Sequence, residues 1–121
     1  MLFGIRRSTV TAKAFRKFAL SFPEATEGSH MGHADFRVRG KIFATLGPKE
    51  DWGTVKLPPD EQADLVDEDE GVYLPAKGAW GRGGCTIVRL RDADAKVVQK
   101  AMVAAWRKAA PKGLVVEYNA D

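Results

Sequence analysis

Two histidines stand three residues apart in His30-Met31-Gly32-His33, with Asp35 close behind, and imidazoles beside a carboxylate are the donor types that hold a divalent metal ion. The chain has no other histidine, and its one cysteine, Cys85, is remote in sequence. A third or fourth protein ligand is therefore missing, so the stretch reads as a loop and no metal or other cofactor is expected. The same scarcity works against hydrolysis. A Ser or Cys triad would have to draw on one of these two histidines, and neither Ser21 nor Ser29 sits in the glycine-flanked elbow that presents a nucleophile. Cys85, between Gly84 and Thr86 at the start of a strand, reads as a small buried hydrophobe. Gly81-Arg82-Gly83-Gly84 is only loosely like a phosphate-cradling loop, because a strand rather than a helix follows it. No catalytic residue is expected.

Charge offers more. Asp60, Glu61, Asp64, Asp67, Glu68, Asp69 and Glu70 lie together without a base among them, and their spacing reads as a solvated helix face that lacks the calcium-loop pattern. With those seven set aside, the 19 basic side chains face only 9 of the 16 acidic ones, a balance that favours polyanions if the bases cluster. Arg37, Arg39, Lys41, Lys56, Lys77, Arg82, Arg89 and Arg91 all fall on expected strands or hairpin loops, and Trp52 and Trp80 fall among them. Bases can neutralise phosphates while aromatic rings stack on nucleobases or wedge into a groove. The competing reading scatters the charges for solubility and packs the tryptophans against the sheet.

These residues need elements to position them. Ala14, Phe15, Phe18, Ala19 and Phe22 share one face of a helix over residues 11–22, which Ser8, Thr9 or Thr11 could cap and Pro23 ends. The acid-free stretch before Glu24 has some transit-peptide character, but its phenylalanines suit a packed helix. Phe36 and Val38 alternate with Arg37 and Arg39 in a strand that Gly40-Lys41 turns into Ile42 to Leu46, and Thr54 to Leu57 makes a third strand. Pro59 opens a short acidic helix. Val72 to Leu74 and Cys85 to Leu90 are strands joined by a glycine-rich loop over 77–84, and Asp92 or Asp94 caps a final helix whose Val98, Ala101, Met102, Ala105, Trp106 and Ala109 share a face. The order is α-β-β-β-α-β-β-α. It predicts an α+β, two-layer domain: an antiparallel sheet with helices on one face and the other face open.

At 121 residues, 45% hydrophobic and 29% charged, the chain fits one domain, 1–121, with a core over about 11–112 and a mobile tail over 113–121. No apolar run suits a membrane span, no secretory signal is expected, and a single cysteine fits a cytoplasmic location.

Ser29-His30-Met31-Gly32-His33-Ala34-Asp35-Phe36-Arg37-Val38, followed by Lys41 to Leu46, closely resembles the MmcQ/YjbR family of small bacterial proteins. The resemblance continues through Trp52-Gly53, Val55-Lys56-Leu57, Gly78-Ala79-Trp80-Gly81-Arg82, Thr86 to Leu90 and Ala104-Ala105-Trp106-Arg107, and covers roughly residues 11–112. It implies a frataxin-like or secretion-chaperone-like two-layer fold. It also implies a DNA-binding role through a double-wing arrangement of hairpins, and offers no catalytic residue to transfer. Ala34 stands where many relatives carry proline, and Arg39 where glycine is common.

The leading expectation is a non-catalytic DNA-binding or regulatory module that contacts nucleic-acid phosphates through Arg37, Arg39, Lys41, Lys56, Lys77, Trp80, Arg82 and Arg89. One alternative is a protein-interaction module using the open sheet face or the acidic helix. The other is a small-molecule or metal binder at the His30 to Asp35 loop.

Overall fold

The computed structural model describes residues 9–120, so Ser8 and the first part of the acid-free stretch lie outside the described residues. Helix α1 runs Ala12–Leu20 and is capped by Thr11, whose hydroxyl accepts from the Ala14 N–H at 3.0 Å. Phe15 and Ala19 are buried on its inner face, as the spacing predicts. Four strands follow: β1 (Ala25–His30), β2 (His33–Val38), β3 (Lys41–Leu46) and β4 (Trp52–Lys56). Helix α2 (Pro59–Glu68), strand β5 (Tyr73–Pro75), helix α3 (Gly78–Arg82) and strand β6 (Cys85–Arg89) come next, and α4 (Ala95–Ala109) and α5 (Lys112–Ala120) finish the chain.

The strands form one six-stranded sheet in the order β1-β2-β3-β4-β6-β5, and every neighbouring pair is antiparallel. Two of its hairpins turn over two residues, Met31-Gly32 and Arg39-Gly40, each with positive φ at both positions. That backbone matches the right-handed twist of the flanking strands and locks their register. At the second turn Arg39 holds φ 50°, a left-handed conformation that glycine adopts without steric cost.

The core lies between the sheet and the helices. Phe36, Val38, Phe43, Leu46, Val55 and Val88 meet Phe15 of α1 and Val98, Met102 and Trp106 of α4, all fully buried. Trp106 is the centre of this layer. Its ring stacks on Phe22 at 5.5 Å and lies 5.0 Å from Tyr118, and its indole N–H donates to the Pro23 carbonyl at 3.2 Å.

The expected α+β class, two layers and element order stand, with three additions. Strand β1 extends the sheet beyond Asp35, so His30 and His33 lie on paired strands rather than in a loop. The 77–84 loop contains the short helix α3, which places Trp80 and Arg82 on a helix. The tail expected to be mobile over 113–121 lies, through residue 120, in α5, held by buried Leu114, by the Tyr118 contact and by an Arg107 guanidinium donating to Asn119 Oδ1 at 2.7 Å. Among the described residues no helix is long and apolar enough to cross a membrane.

Candidate functional sites on the open sheet face

Residues that pair across strands share a face, so the pairing registers define what the uncovered side of the sheet presents. One row crosses all six strands: Gly28, Asp35, Thr45, Thr54, Ile87 and Leu74. Thr26, Arg37 and Ile42 lie in the next row, beside a bulge between Phe36 and Arg37. His30 pairs with His33 at the hairpin turn, while Trp52 pairs with Arg89 and Lys56 with Cys85 at opposite ends of β4. The row passes from charged at β2, through a buried Thr45–Thr54 hydroxyl pair at 2.7 Å, to apolar at β6 and β5.

At the β1–β2 end, the Asp35 carboxylate is fully buried although it lies on the open face. Arg37 covers it through two hydrogen bonds, Nε to Oδ1 at 2.7 Å and the terminal nitrogen to Oδ2 at 3.0 Å, and His30 Nδ1 lies 2.7 Å from Oδ2. The fork of the guanidinium matches the two oxygens, which makes this a strong, directional pair. The Arg37 hydrogen bonds hold the Asp35 carboxyl down at about 2, against the opposing effect of burial and with help from His30. Since the carboxylate is then ionised at neutral pH, it can only accept, and His30 must donate through Nδ1–H. Gly28 makes room for this cluster. A Cβ there would come within 3.0 Å of Asp35 Oδ1 and 3.3 Å of Arg37 Nε. The His33 ring lies 4.7 Å from that of His30, and its Nδ1 is buried with no hydrogen-bond partner among the described residues.

The bases expected to meet phosphate divide into two groups. Arg37 is held by Asp35, and Arg39 forms a two-point ion pair with Glu24, whose terminal contact is 3.0 Å. Each of these guanidiniums is matched by a carboxylate, while Lys41 of the second hairpin has no ion-pair partner among the described residues. Lys41 is exposed at the start of β3. Likewise, Lys56, Lys77, Arg82 and Arg89 have no ion-pair partner among the described residues. Lys77 precedes α3, Arg82 ends it, and both are exposed. Trp80, on the same helix, is 69% exposed with the Lys56 ammonium 5.2 Å above its ring. Arg89 is exposed across from Trp52, whose indole lies over Gly47, at the far end of β4. Lys56 and Trp52, four residues apart along β4, are about 13 Å from one another at ordinary strand rise.

Helix α3 is short, and its support comes from elsewhere. Gln62 of α2 is buried and its amide donates to the carbonyls of Gly81 and Cys85 at 2.9 and 3.1 Å. A Cβ at Gly81 would fall 1.8 Å from the Ala76 carbonyl oxygen, so only glycine permits this approach. The Lys108 ammonium of α4 bridges the carbonyls of Leu57 and Gly83 at 3.3 Å each. Sequence reasoning gave neither Gln62 nor Lys108 a role, because their partners lie 19 to 51 residues away, and it read Gly81 only as part of a glycine-rich loop. Cys85, read from the sequence as a small buried residue, is only partly buried, and burial pushes its thiol up. Among the described residues no group of three or more His, Cys, Asp and Glu side chains is placed to hold a metal ion.

These features define a class: a two-layer α+β domain with an uncovered antiparallel sheet face, one end of it charge-neutralised and the other basic and aromatic. The chain belongs to the YjbR family, whose profile matches residues 20–108. Its structure is similar to the crystal structure of Deinococcus radiodurans protein DR2400, a DUF419 domain, with a TM-score of 0.74 over 93% of this chain and 91% of that one. Identity between the two is 14%, so the likeness concerns the fold. No curated protein matches the chain.

Proposed function

We propose that the protein is a cytoplasmic, non-catalytic nucleic-acid-binding or regulatory module whose contact surface is the β4–α3–β6 corner of the open face. The supporting observation is Trp80, 69% exposed beside Lys56 and on the same short helix as Arg82, which has no ion-pair partner among the described residues. An exposed indole offers a stacking surface to a base of any sequence, and Lys77 and Arg82 beside it, with Arg89 farther along the same face, offer charge to the backbone. Arg37 and Arg39, which the sequence places among the contacts, support structure in this reading because their charge is already matched by Asp35 and Glu24. Contacts of this kind position a nucleic acid and carry little base specificity.

The test is fluorescence anisotropy of labelled duplex and single-stranded DNA at two salt concentrations. Arg82→Gln should lower the salt slope by about 0.9, the equivalent of one lost phosphate contact, whereas Arg39→Gln leaves it unchanged. Absence of binding at low salt, or equal effects of the two substitutions, overturns the proposal.

One observation favours a protein-interaction reading. Glu61, Asp64 and Glu68 of α2 rim a groove floored by Leu57, Leu65, Val97, Ala101 and Ala104, with Lys100 on the α4 side. An apolar floor beneath an acidic rim suits a basic amphipathic segment. A partner that co-purifies with the protein and is lost on Asp64→Lys supports this reading; one retained by that variant removes it.

A further inference from the structure

The cluster at the β1–β2 hairpin is not used by the nucleic-acid reading, and it contains two nitrogen donors without assigned work. His30 and His33 are cross-strand partners on either side of the Met31-Gly32 turn, so the turn geometry fixes them opposite one another on the same face. Asp35 takes the His30 Nδ1–H and thereby leaves Nε2 as a lone-pair donor pointing away from the carboxylate. A carboxylate behind an imidazole is the outer-shell arrangement that orients metal-bound histidines and raises their basicity. Here the carboxylate is itself fixed by Arg37 and fully buried. His33 has no hydrogen-bond partner among the described residues, and its Nδ1 is buried in that state, a condition that native structures rarely leave unexplained.

The spacing fits a shared ion. With a ring nitrogen about 2.1 Å from a metal, each ring centre is about 3.2 Å from it, and ligand angles of about 90 to 110° separate the two centres by about 4.6 to 5.3 Å. The observed separation is 4.7 Å.

We propose that His30 and His33 form a two-histidine site for a divalent transition-metal ion of the zinc, nickel or copper class, oriented by Asp35, with water or an external anion in the remaining positions. Two protein ligands imply an exchangeable ion rather than a structural one. Imidazole favours these ions over magnesium or calcium, which take oxygen ligands.

Isothermal titration of the full chain with zinc chloride and nickel chloride at neutral pH tests the site, alongside the same titration of His33→Asn and His30→Asn. Both positions are partly exposed beside a turn, and circular dichroism of each variant checks that the fold survives. The expected result is one ion per chain, weakened about tenfold or more by either substitution. Nickel should also broaden the ring proton signals of both histidines in NMR spectra. Asp35→Asn should weaken binding about tenfold while leaving one ion per chain, the signature of a positioning residue. Absence of heat at micromolar protein, binding that survives both histidine substitutions, or broadening confined to the acidic helix or Cys85 overturns the proposal.

Discussion

The two ends of the open sheet face carry similar numbers of basic side chains and use them in opposite ways. At β1–β2 each guanidinium has a carboxylate partner, Arg37 with Asp35 and Arg39 with Glu24, so the charges hold the hairpins together. At β4–α3–β6 the bases stand without counter-charge beside an exposed tryptophan. The lesson is that the number of bases on a set of strands says little about the field they make. What decides is whether the fold brings an acid to each one, and here that depends on residues up to 15 positions away.

This contrast can be tested by substitution. The largest effect is expected at Asp35. Removing one partner of a buried pair costs about 3–5 kcal/mol when both are buried; since Arg37 and His30 side chains are 37% and 39% exposed, Asp35→Ala should cost about 2–3 kcal/mol in urea unfolding. Arg82→Ala should stay within about 0.5 kcal/mol in the same assay. An equal loss at both positions would erase the distinction between the two ends.

The next effect is in pH. The folded Asp35 carboxyl lies at about 2, below its ordinary value of 3.8, so its stabilising contribution is complete above that ordinary value and is lost as pH falls through about 2. The difference corresponds to about 2 kcal/mol between those limits. Urea midpoints at pH 5 and pH 2 should show it in the wild-type chain and in Arg82→Ala, and should lack it in Asp35→Asn.

Smaller still is Gly28→Ala, whose methyl must displace Asp35 or Arg37 by a few tenths of an ångström; a loss of about 1 kcal/mol is expected. Smallest is Arg39→Gly. It relieves the left-handed backbone, a gain of about 1 kcal/mol that the freer unfolded chain and the loss of the exposed ion pair with Glu24 offset, so thermal unfolding should shift little in either direction.

The long amphipathic helices were legible from their apolar spacing because burial of one face dictates it, as Phe15, Val98, Met102 and Trp106 show. Strand β1 was not. Ala-Thr-Glu-Gly-Ser-His has neither β-branched bulk nor apolar alternation, and its pairing with β2 is set by the two-residue turn. Two glycines hid α3, which rests on Gln62 rather than on its own propensity. Pro111-Lys112-Gly113 ended α4 as read, and also masked a second helix start immediately beyond. Within the candidate sites, alternation with Phe36 and Val38 announced that Arg37 faces outward, whereas His30 and His33 read as a loop. Gly28 opposite Asp35 and Glu24 beside Arg39 were invisible, because they depend on register and on the path between strands. Trp80 and Arg82 were named as candidates, but only the structure shows the indole uncovered and Lys56 above it.

The two margins of the sheet have a consequence for self-association. β1, on one side, is a polar strand with exposed Thr26, Glu27 and Ser29, and β5, on the other, has three residues and ends in Pro75, which has no N–H to donate. Neither margin is a good template on which another chain could add a strand. The molecule is thus guarded against ribbon-like growth and strand exchange, and any contact it makes with a copy of itself should run through its faces, where salt and substitution can tune it.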